Sequence, residues 1–274
     1  MNNGAQSDVR ALVITGYGLN CQKETACALN QAGARTDLVH LKDLMKEDRR
    51  LTDYHILAFI GGFSFGDHIG AGTVFANRLR YRMRGQLEEY IKARHLVIGI
   101  CNGFQTLTRL GVLPALDGML FEQQVALAEN EQGVFRDDWV LLRANNRSPC
   151  IFTRGLDLLP VPVRHGEGRF VPRNADVLKS LEDHNLVAVR YADPSSGDPT
   201  MEFPFNPNGS INAIAGICDV TGRVFGLMPH PEAYLSPYNH PHWGRQKING
   251  VLPERGLGQL VFDNAVRFAD RELL

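Results

Sequence analysis

The sequence predicts an α/β fold: an open, mostly parallel sheet with helices on both faces, plus β-rich additions in the second half. Three observations carry this. Short apolar runs alternate with helix-length stretches in the first hundred or so residues, the pattern of strands joined by helical crossovers. One of those runs, Ile56-Leu57-Ala58-Phe59-Ile60, carries no charge, as a strand covered on both faces requires. Later apolar segments, Trp139–Leu142, Leu186–Val189 and Val224–Leu227, are separated by loops rich in Pro, Asn and Gly.

Taken in order, residues 1–10 (MNNGAQSDVR) read as a disordered lead-in that lacks the apolar centre of a signal peptide. A single domain is expected over 11–274. Ala11–Ile14 is the first strand, followed by the loop Thr15–Asn20 and a helix over Lys23–Ala32. Gly33 stands where a helix C-cap glycine belongs. Leu38–Leu41 is the second strand and Ile56–Ile60 the third. A helix over Gln86–Ala93, the strand Leu96–Ile100 and a helix from Asn102 or Gly103 follow. The last helix, from Leu257 to about Arg271, aligns Leu257, Val261, Ala265 and Phe268 on one stripe. Residues 233–255, dense in aromatics, His and Pro, read as a rim extension, either touching a partner or packing on the core through Trp243 and Tyr238.

Composition narrows the class. The chain has 274 residues, 44% of them hydrophobic, enough for one large core. Lys and Arg total 29 against 30 Asp and Glu, which lacks the basic excess of a nucleic-acid binder. No apolar run approaches the ~20 residues that span a bilayer. The five cysteines, Cys21, Cys27, Cys101, Cys150 and Cys218, are odd in number and form no C-x-x-C pair. Neither a disulfide framework nor a zinc site is indicated, and a reducing cytoplasm is the simplest compartment. His240 and His242 have no third ligand beside them in sequence, so no metal is expected there.

The chemistry is read from three strand ends. Cys101 lies in Gly99-Ile100-Cys101-Asn102-Gly103-Phe104-Gln105, at a strand-to-helix turn. A nucleophile on such a turn needs small neighbours because strand and helix approach closely, and Gly99 and Gly103 supply them. The helix N-terminus favours thiolate over thiol, and its free N–H groups, that of Asn102 first, can hold an oxyanion. The competing reading is a small core hydrophobe beside two turn glycines. A thiolate needs a base and the base an orienting group. Met228-Pro229-His230-Pro231-Glu232 follows the strand Val224–Leu227; His230 and Glu232, two apart, point the same way in extended chain. After the third strand comes Gly61-Gly62-Phe63-Ser64-Phe65-Gly66-Asp67, which lacks the Lys-Ser/Thr of a phosphate loop; the Gly62 N–H would complete an oxyanion hole with Asn102. Arg78, Arg80, Arg82 and Arg84 suit either a solvated helix face or an acidic docking surface.

Together these motifs resemble the triad-type (class I) glutamine amidotransferases. Gly99, Cys101, Gly103 and Gln105 match that family's G-x-C-x-G-x-Q, and His230-Pro231-Glu232 its H-x-E. GGFSFGD, GICNGFQ, HGEGRF (His165–Phe170), NPNGSINAIAGI (Asn206–Ile217) and GLMPHPE (Gly226–Glu232), in that order, are similar to the glutaminase subunits of phosphoribosylformylglycinamidine synthases. The likeness runs from about residue 10 to 235. Asn20-Cys21 with Glu24-Thr25 is similar to that family's first loop, with Gln22 where an Asp is more usual. The resemblance implies a flavodoxin-like fold and Cys101, His230 and Glu232 as the catalytic residues. It implies Gly62 and Asn102 as oxyanion donors, Gln105 in the glutamine pocket, and His165–Arg169 on the partner-facing side. It further implies hydrolysis of glutamine to glutamate and ammonia through a cysteinyl thioester, weak until a partner binds. That partner is an ATP- and magnesium-using synthetase of purine synthesis, with a small bridging subunit; no cofactor is expected in this chain, and no nucleic acid or membrane. The alternatives are a glutaminase serving another synthetase and a catalytically dead regulatory homologue, against which the intact Cys101, His230 and Glu232 speak.

Overall fold

A computed structural model describes residues 7–46 and 50–274. The uncharged runs become the strands that are buried on both faces. β1 (Arg10–Thr15), α1 (Gln22–Gln31), β2 (Arg35–His40) and the short α2 (Leu41–Leu44) open the chain. β3 (Ile56–Phe59), α3 (Thr73–Arg82), α4 (Arg84–Lys92), β4 (Leu96–Ile100) and α5 (Asn102–Leu110) follow. Then come β5 (Val125–Ala128), β6 (Arg136–Ala144), β7 (Leu158–His165), β8 (Arg169–Pro172), α6 (Ala175–Asp183), β9 (Val187–Ala192), β10 (Ile214–Cys218) and β11 (Val224–Leu227). The helices α7 (Trp243–Ile248) and α8 (Gln259–Glu272) close it.

Nine strands form one sheet in the order β2-β1-β3-β4-β11-β10-β9-β6-β7. The five from β2 to β11 run parallel, with Val13 opposite Leu38 and Ala58, and Gly99 opposite Phe59 and Gly226. The second-half strands β10, β9, β6 and β7 extend the same sheet in antiparallel pairs. β5 and β8 form a separate two-stranded ribbon. From β1 the chain crosses to one side of the sheet and from β3 to the other. Right-handed crossovers therefore put α1 and α3 on opposite faces. α1 packs with α8, and α3 with α5. The reversal falls between β1 and β3, the place where open α/β sheets bind ligands beyond their strand C-termini. There the loops after β1 and β3 are tied together: the Asn20 N–H donates to Gly61 O (2.9 Å) and the Phe63 N–H to Gly18 O (2.8 Å).

Several expectations are corrected. Of the lead-in, residues 1–6 lie outside the described residues, but Val9 is fully buried and Arg10 begins β1, so these two belong to the folded domain. β2 begins at Arg35 rather than Leu38, and Leu41 opens α2. α4 starts two residues before Gln86, and α3, buried through Phe75, Ala76 and Leu79, was not foreseen. Of the arginine cluster, Arg78, Arg82 and Arg84 are exposed, as a solvated face requires, while Arg80 is half-buried. Arg80 donates to the carbonyls of Arg109 and Leu110 (2.9 Å each), acceptors that the end of α5 leaves open, and to that of Phe121 (3.0 Å). Arg78 lies 4.9 Å above the Phe65 ring and Arg84 4.6 Å above that of Phe121. The 233–255 extension attaches through different residues from those expected. Tyr234 is fully buried and meets Trp139 edge-on at 5.2 Å, and His240 lies 4.8 Å from Trp139. Tyr238 and Trp243 pack on each other and stay exposed. Among the described residues no helix is long and apolar enough to cross a membrane.

Replacing Arg80 with Ala should lower the unfolding free energy by about 1–3 kcal/mol, the scale of stranding buried carbonyls. Arg82→Ala, on an exposed site of the same helix, should stay within about 0.5 kcal/mol. Urea denaturation of both variants checks the difference.

Candidate active site

Cys101 is the hinge between β4 and α5. Its φ of +51° and ψ of −107° are sparsely populated for a residue with a side chain. The packing around it explains why the turn persists. A Cβ on Gly103 would come within 2.0 Å of the Phe59 carbonyl oxygen, and one on Gly99 within 2.6 Å of Leu107. The Cys101 N–H donates to Leu227 O (2.9 Å), fastening the elbow to the end of β11. The chain leaving β11 is thereby delivered to the same edge, and the His230 N–H donates to Pro162 O (2.8 Å).

The imidazole lies over Gly61. A Cβ on that glycine would fall 2.7 Å from His230 Cε1 and 3.5 Å from Cys101 Cβ, so both side chains occupy space around one point. His230 Nδ1 is 2.6 Å from Glu232 Oε1, and the two residues are only 2% and 1% exposed. A carboxylate there fixes Nδ1 as the donor and turns Nε2 outward. Burial by itself disfavours the imidazolium. The Glu232 charge, followed by the Cys101 thiol and then Cys21, outweighs it and holds the His230 pKa well above the usual value. Nε2 completes no hydrogen bond of good geometry, although both thiols lie close enough to favour the charged ring. The Cys101 thiol points to the Arg164 carbonyl, Sγ–O 3.5 Å. β7 is five places from β4 in the sheet, so the sheet coils until this carbonyl returns over the nucleophile.

The remaining expected site residues separate into two groups. Gly62 adopts φ +127° beside Gly18 and Leu19, where a side chain would strike backbone at 2.6–2.8 Å. Asn102 opens α5 and is fully buried; its Nδ2 donates to Asp67 Oδ1 (3.2 Å) and Gln105 Oε1 (3.0 Å). Gln105 Nε2 donates to Glu167 O (2.5 Å), and the Glu167 carboxylate accepts from the Ala71 N–H (3.1 Å). Gln105 is thus 4% exposed with both ends of its amide engaged, bracing the loop 165–169 against α5. Burial raises the Asp67 pKa, against the lowering effect of its bond from Asn102.

His165 is buried within hydrogen-bond reach of Asn130 Oδ1 (Nδ1, 3.1 Å) and Asn208 Nδ2 (Nε2, 3.5 Å), the pattern of one neutral tautomer. Burial, then the charge on His230, depresses its pKa to about 3. Asn208 also donates to Tyr191 Oη (3.1 Å) and Gly168 O (2.9 Å). Sequence reasoning did not single out Asn130 or Tyr191, which carry no local motif. It also gave Cys21 no role at His230, where the structure places it, at the start of α1 with φ +65°. Burial raises the Cys21 pKa, while its contact with His230 acts the other way.

A cavity of about 320 Å³ reaches His230 between Cys21, Glu24, Phe63, Phe135 and Arg164. A larger one, about 710 Å³, lies among Lys42, Ile69, Arg78 and Tyr81 and includes none of Cys101, His230 or Glu232. Thiol, imidazole and carboxylate in sequence, beside a helix N-terminus able to hold an anion, suit acyl transfer through a covalent thioester.

Residues 8–269 match the model of a family described as the CobB/CobQ-like glutamine amidotransferase domain. The phosphoribosylformylglycinamidine synthase subunit PurQ of Methanococcus maripaludis is 41% identical over 270 residues, 96% of this chain and 98% of that protein. PurQ of Dehalococcoides mccartyi is 39% identical over 263 residues, with the same coverage of 96% and 98%. The phosphoribosylformylglycinamidine synthase of Drosophila melanogaster is 31% identical over 266 residues, 95% of this chain but 20% of that protein. Of the solved structures, a chain of PurLQS from Thermotoga maritima superposes with a TM-score of 0.68 at 28% identity, covering 95% of this chain and 99% of that one.

Glu232→Gln removes the charge that keeps His230 protonated. Its imidazole should then lose its proton at a lower pH, read by NMR titration. Alkylation of Cys101 by iodoacetamide near neutral pH should slow by about tenfold once the neighbouring imidazolium is lost.

Proposed function

The chain belongs to the CobB/CobQ-like glutamine amidotransferase family, and on that premise we infer that it hydrolyses glutamine to supply ammonia to phosphoribosylformylglycinamidine synthase in purine biosynthesis. The observation that carries the reading is the convergence of Cys101 and the buried His230–Glu232 pair around Gly61.

In this reading the Cys101 thiolate attacks the side-chain amide carbon of glutamine. The N–H groups of Gly62 and Asn102 hold the tetrahedral oxyanion; one such donor is typically worth ~10²–10³ in rate. His230, as imidazolium, protonates the departing ammonia, and a γ-glutamyl thioester remains on Cys101. Neutral His230 then takes a proton from water, which attacks the thioester carbonyl; glutamate leaves and the thiolate is restored. Glu232 keeps Nδ1 as the donor throughout, so that Nε2 faces the chemistry in both steps. Gln105, held at both ends of its amide, acts here by fixing the wall formed by Glu167 and Asn102.

The protein works with a synthetase partner, and the ammonia is consumed there. In our reading ATP and magnesium belong to that synthetase, a small subunit bridges the two, and this chain carries no cofactor of its own. We place the reaction in the cytoplasm, in keeping with five unpaired cysteines. A service to some other synthetase has no observation in its favour, and the assembled triad speaks against a dead homologue.

The test is co-purification with the matching synthetase, with glutamate production measured with and without it. Cys101→Ala should cut glutamine-dependent amidine formation by about 10⁴-fold or more. Amidine formation from added ammonium salt should persist. A complex that fails to form, or glutamate release that survives Cys101→Ala, overturns the reading.

A further inference from the structure

The segment 164–168 meets the rest of the site through backbone carbonyls, and one buried side chain outside it holds its shape. We propose that Asn130 is a positioning residue for the reaction: it fixes this turn so that the Arg164 carbonyl stays on the Cys101 sulfur. The inference rests on the glutaminase reading above.

The two-stranded ribbon brings Asn130 to the turn. Ala128 of β5 lies opposite Arg169 of β8, so the chain leaving β5 runs beside the residues that precede β8. There the Asn130 N–H donates to Gly166 O (2.8 Å). Its side chain, in a residue 2% exposed, is engaged at both ends. Nδ2 donates to His165 O and Val134 O (2.9 Å each), and Oδ1 accepts from the Gly168 N–H (3.0 Å). These three backbone partners fix which end of the amide is which. The fourth partner, His165 Nδ1 at 3.1 Å from Oδ1, therefore has to carry the hydrogen. Its Nε2 is left as the acceptor facing Asn208 Nδ2. A Cβ on Gly168 would fall 2.4 Å from the same ring, so the imidazole is seated on the turn it helps to hold. The amide has no donor or acceptor to spare, and rotating it strands buried groups.

Successive carbonyls of a strand point opposite ways. Asn130 holds the His165 carbonyl on one side of β7. That directs the Arg164 carbonyl to the other side, where it stands 3.5 Å from Cys101 Sγ. Further along the turn, Glu167 O accepts from Gln105 Nε2 on α5. The sulfur is thus oriented by a carbonyl whose direction is set one residue away. Because that carbonyl meets the nucleophile, loosening it slows attack more than it weakens binding.

The test uses the complex with the synthetase. Asn130→Ala should still co-purify with it and should lower kcat for glutamine hydrolysis by about tenfold or more, with KM within about twofold, as expected of a misplaced reacting group. Asn145→Ala is the control for loss of a comparable amide. Asn145 follows the end of β6 opposite to the one paired with His165, and its Nδ2 donates to Val187 O (3.1 Å). This variant should leave kcat unchanged. In the full chain, ¹⁵N spectra of labelled histidine near neutral pH should show His165 neutral with its proton on Nδ1, and Asn130→Ala should abolish that single-tautomer signature. An undiminished kcat, a KM effect alone, a fall matched by Asn145→Ala, or a His165 proton on Nε2 overturns the proposal. Should Asn130→Ala fail to co-purify, Gly168→Ala takes its place: the added methyl displaces the His165 ring, and the same loss of kcat is required. Absence of glutamate from the unsubstituted complex overturns the functional reading instead, and this inference with it.

Discussion

The empty space beside Gly61 is the constraint on which the site rests. Three strand ends meet there: β3 supplies the glycine, β4 ends at Cys101, and β11 delivers His230. A single methyl group would overlap the imidazole, so the juxtaposition of sulfur and ring is a consequence of one missing Cβ. The parallel register that sets Phe59, Gly99 and Gly226 side by side brings the three ends to one level. The same economy of space recurs one turn away, where Gly103 allows α5 to start against the Phe59 carbonyl. The geometry of the site follows from backbone packing before any side-chain hydrogen bond is counted.

Electrostatics complete what packing begins. A buried histidine near a buried carboxylate carries a desolvation cost that only close contact offsets, and the contact between Nδ1 and Oε1 is correspondingly short. A second buried histidine, His165, stands close enough to feel the charge on His230 and remains neutral. Its two amide partners hold one tautomer, so the interior carries one imidazolium rather than two. The strained backbone of Cys101 is retained by the same surroundings: β11 binds its N–H, and its sulfur meets the Arg164 carbonyl.

Much of this was legible in the sequence. β3, β4 and β11 were read to within a residue because a strand buried on both faces must be an uninterrupted apolar run. Cys101, His230 and Glu232 were legible because turn glycines and an H-x-E spacing are local signals. α3 escaped because Arg78, Arg80 and Arg82 crowd its second half and only Phe75, Ala76 and Leu79 are buried. The link of Asn130 to His165, 35 residues apart, and the return of Cys21 to His230, 209 positions on, are products of topology with no signature in either segment. Trp139 against Tyr234 is of the same kind, and it redirected the extension from the attachment its exposed aromatics suggested.

The outer strand β7 shows what the coiling of the sheet achieves beyond the site. Pro162 and Arg164 turn their carbonyls away from β6, toward His230 and Cys101. In a strand the N–H of a residue points with its own C=O, so the outward donors at 160 and 162 are replaced by proline rings. This margin of the sheet, covered in part by the chain at His230, is therefore rich in acceptors and poor in donors over that stretch. A neighbouring polypeptide cannot zip onto it in register, and a lateral growth point common to open sheets is blunted by the residues that frame the site.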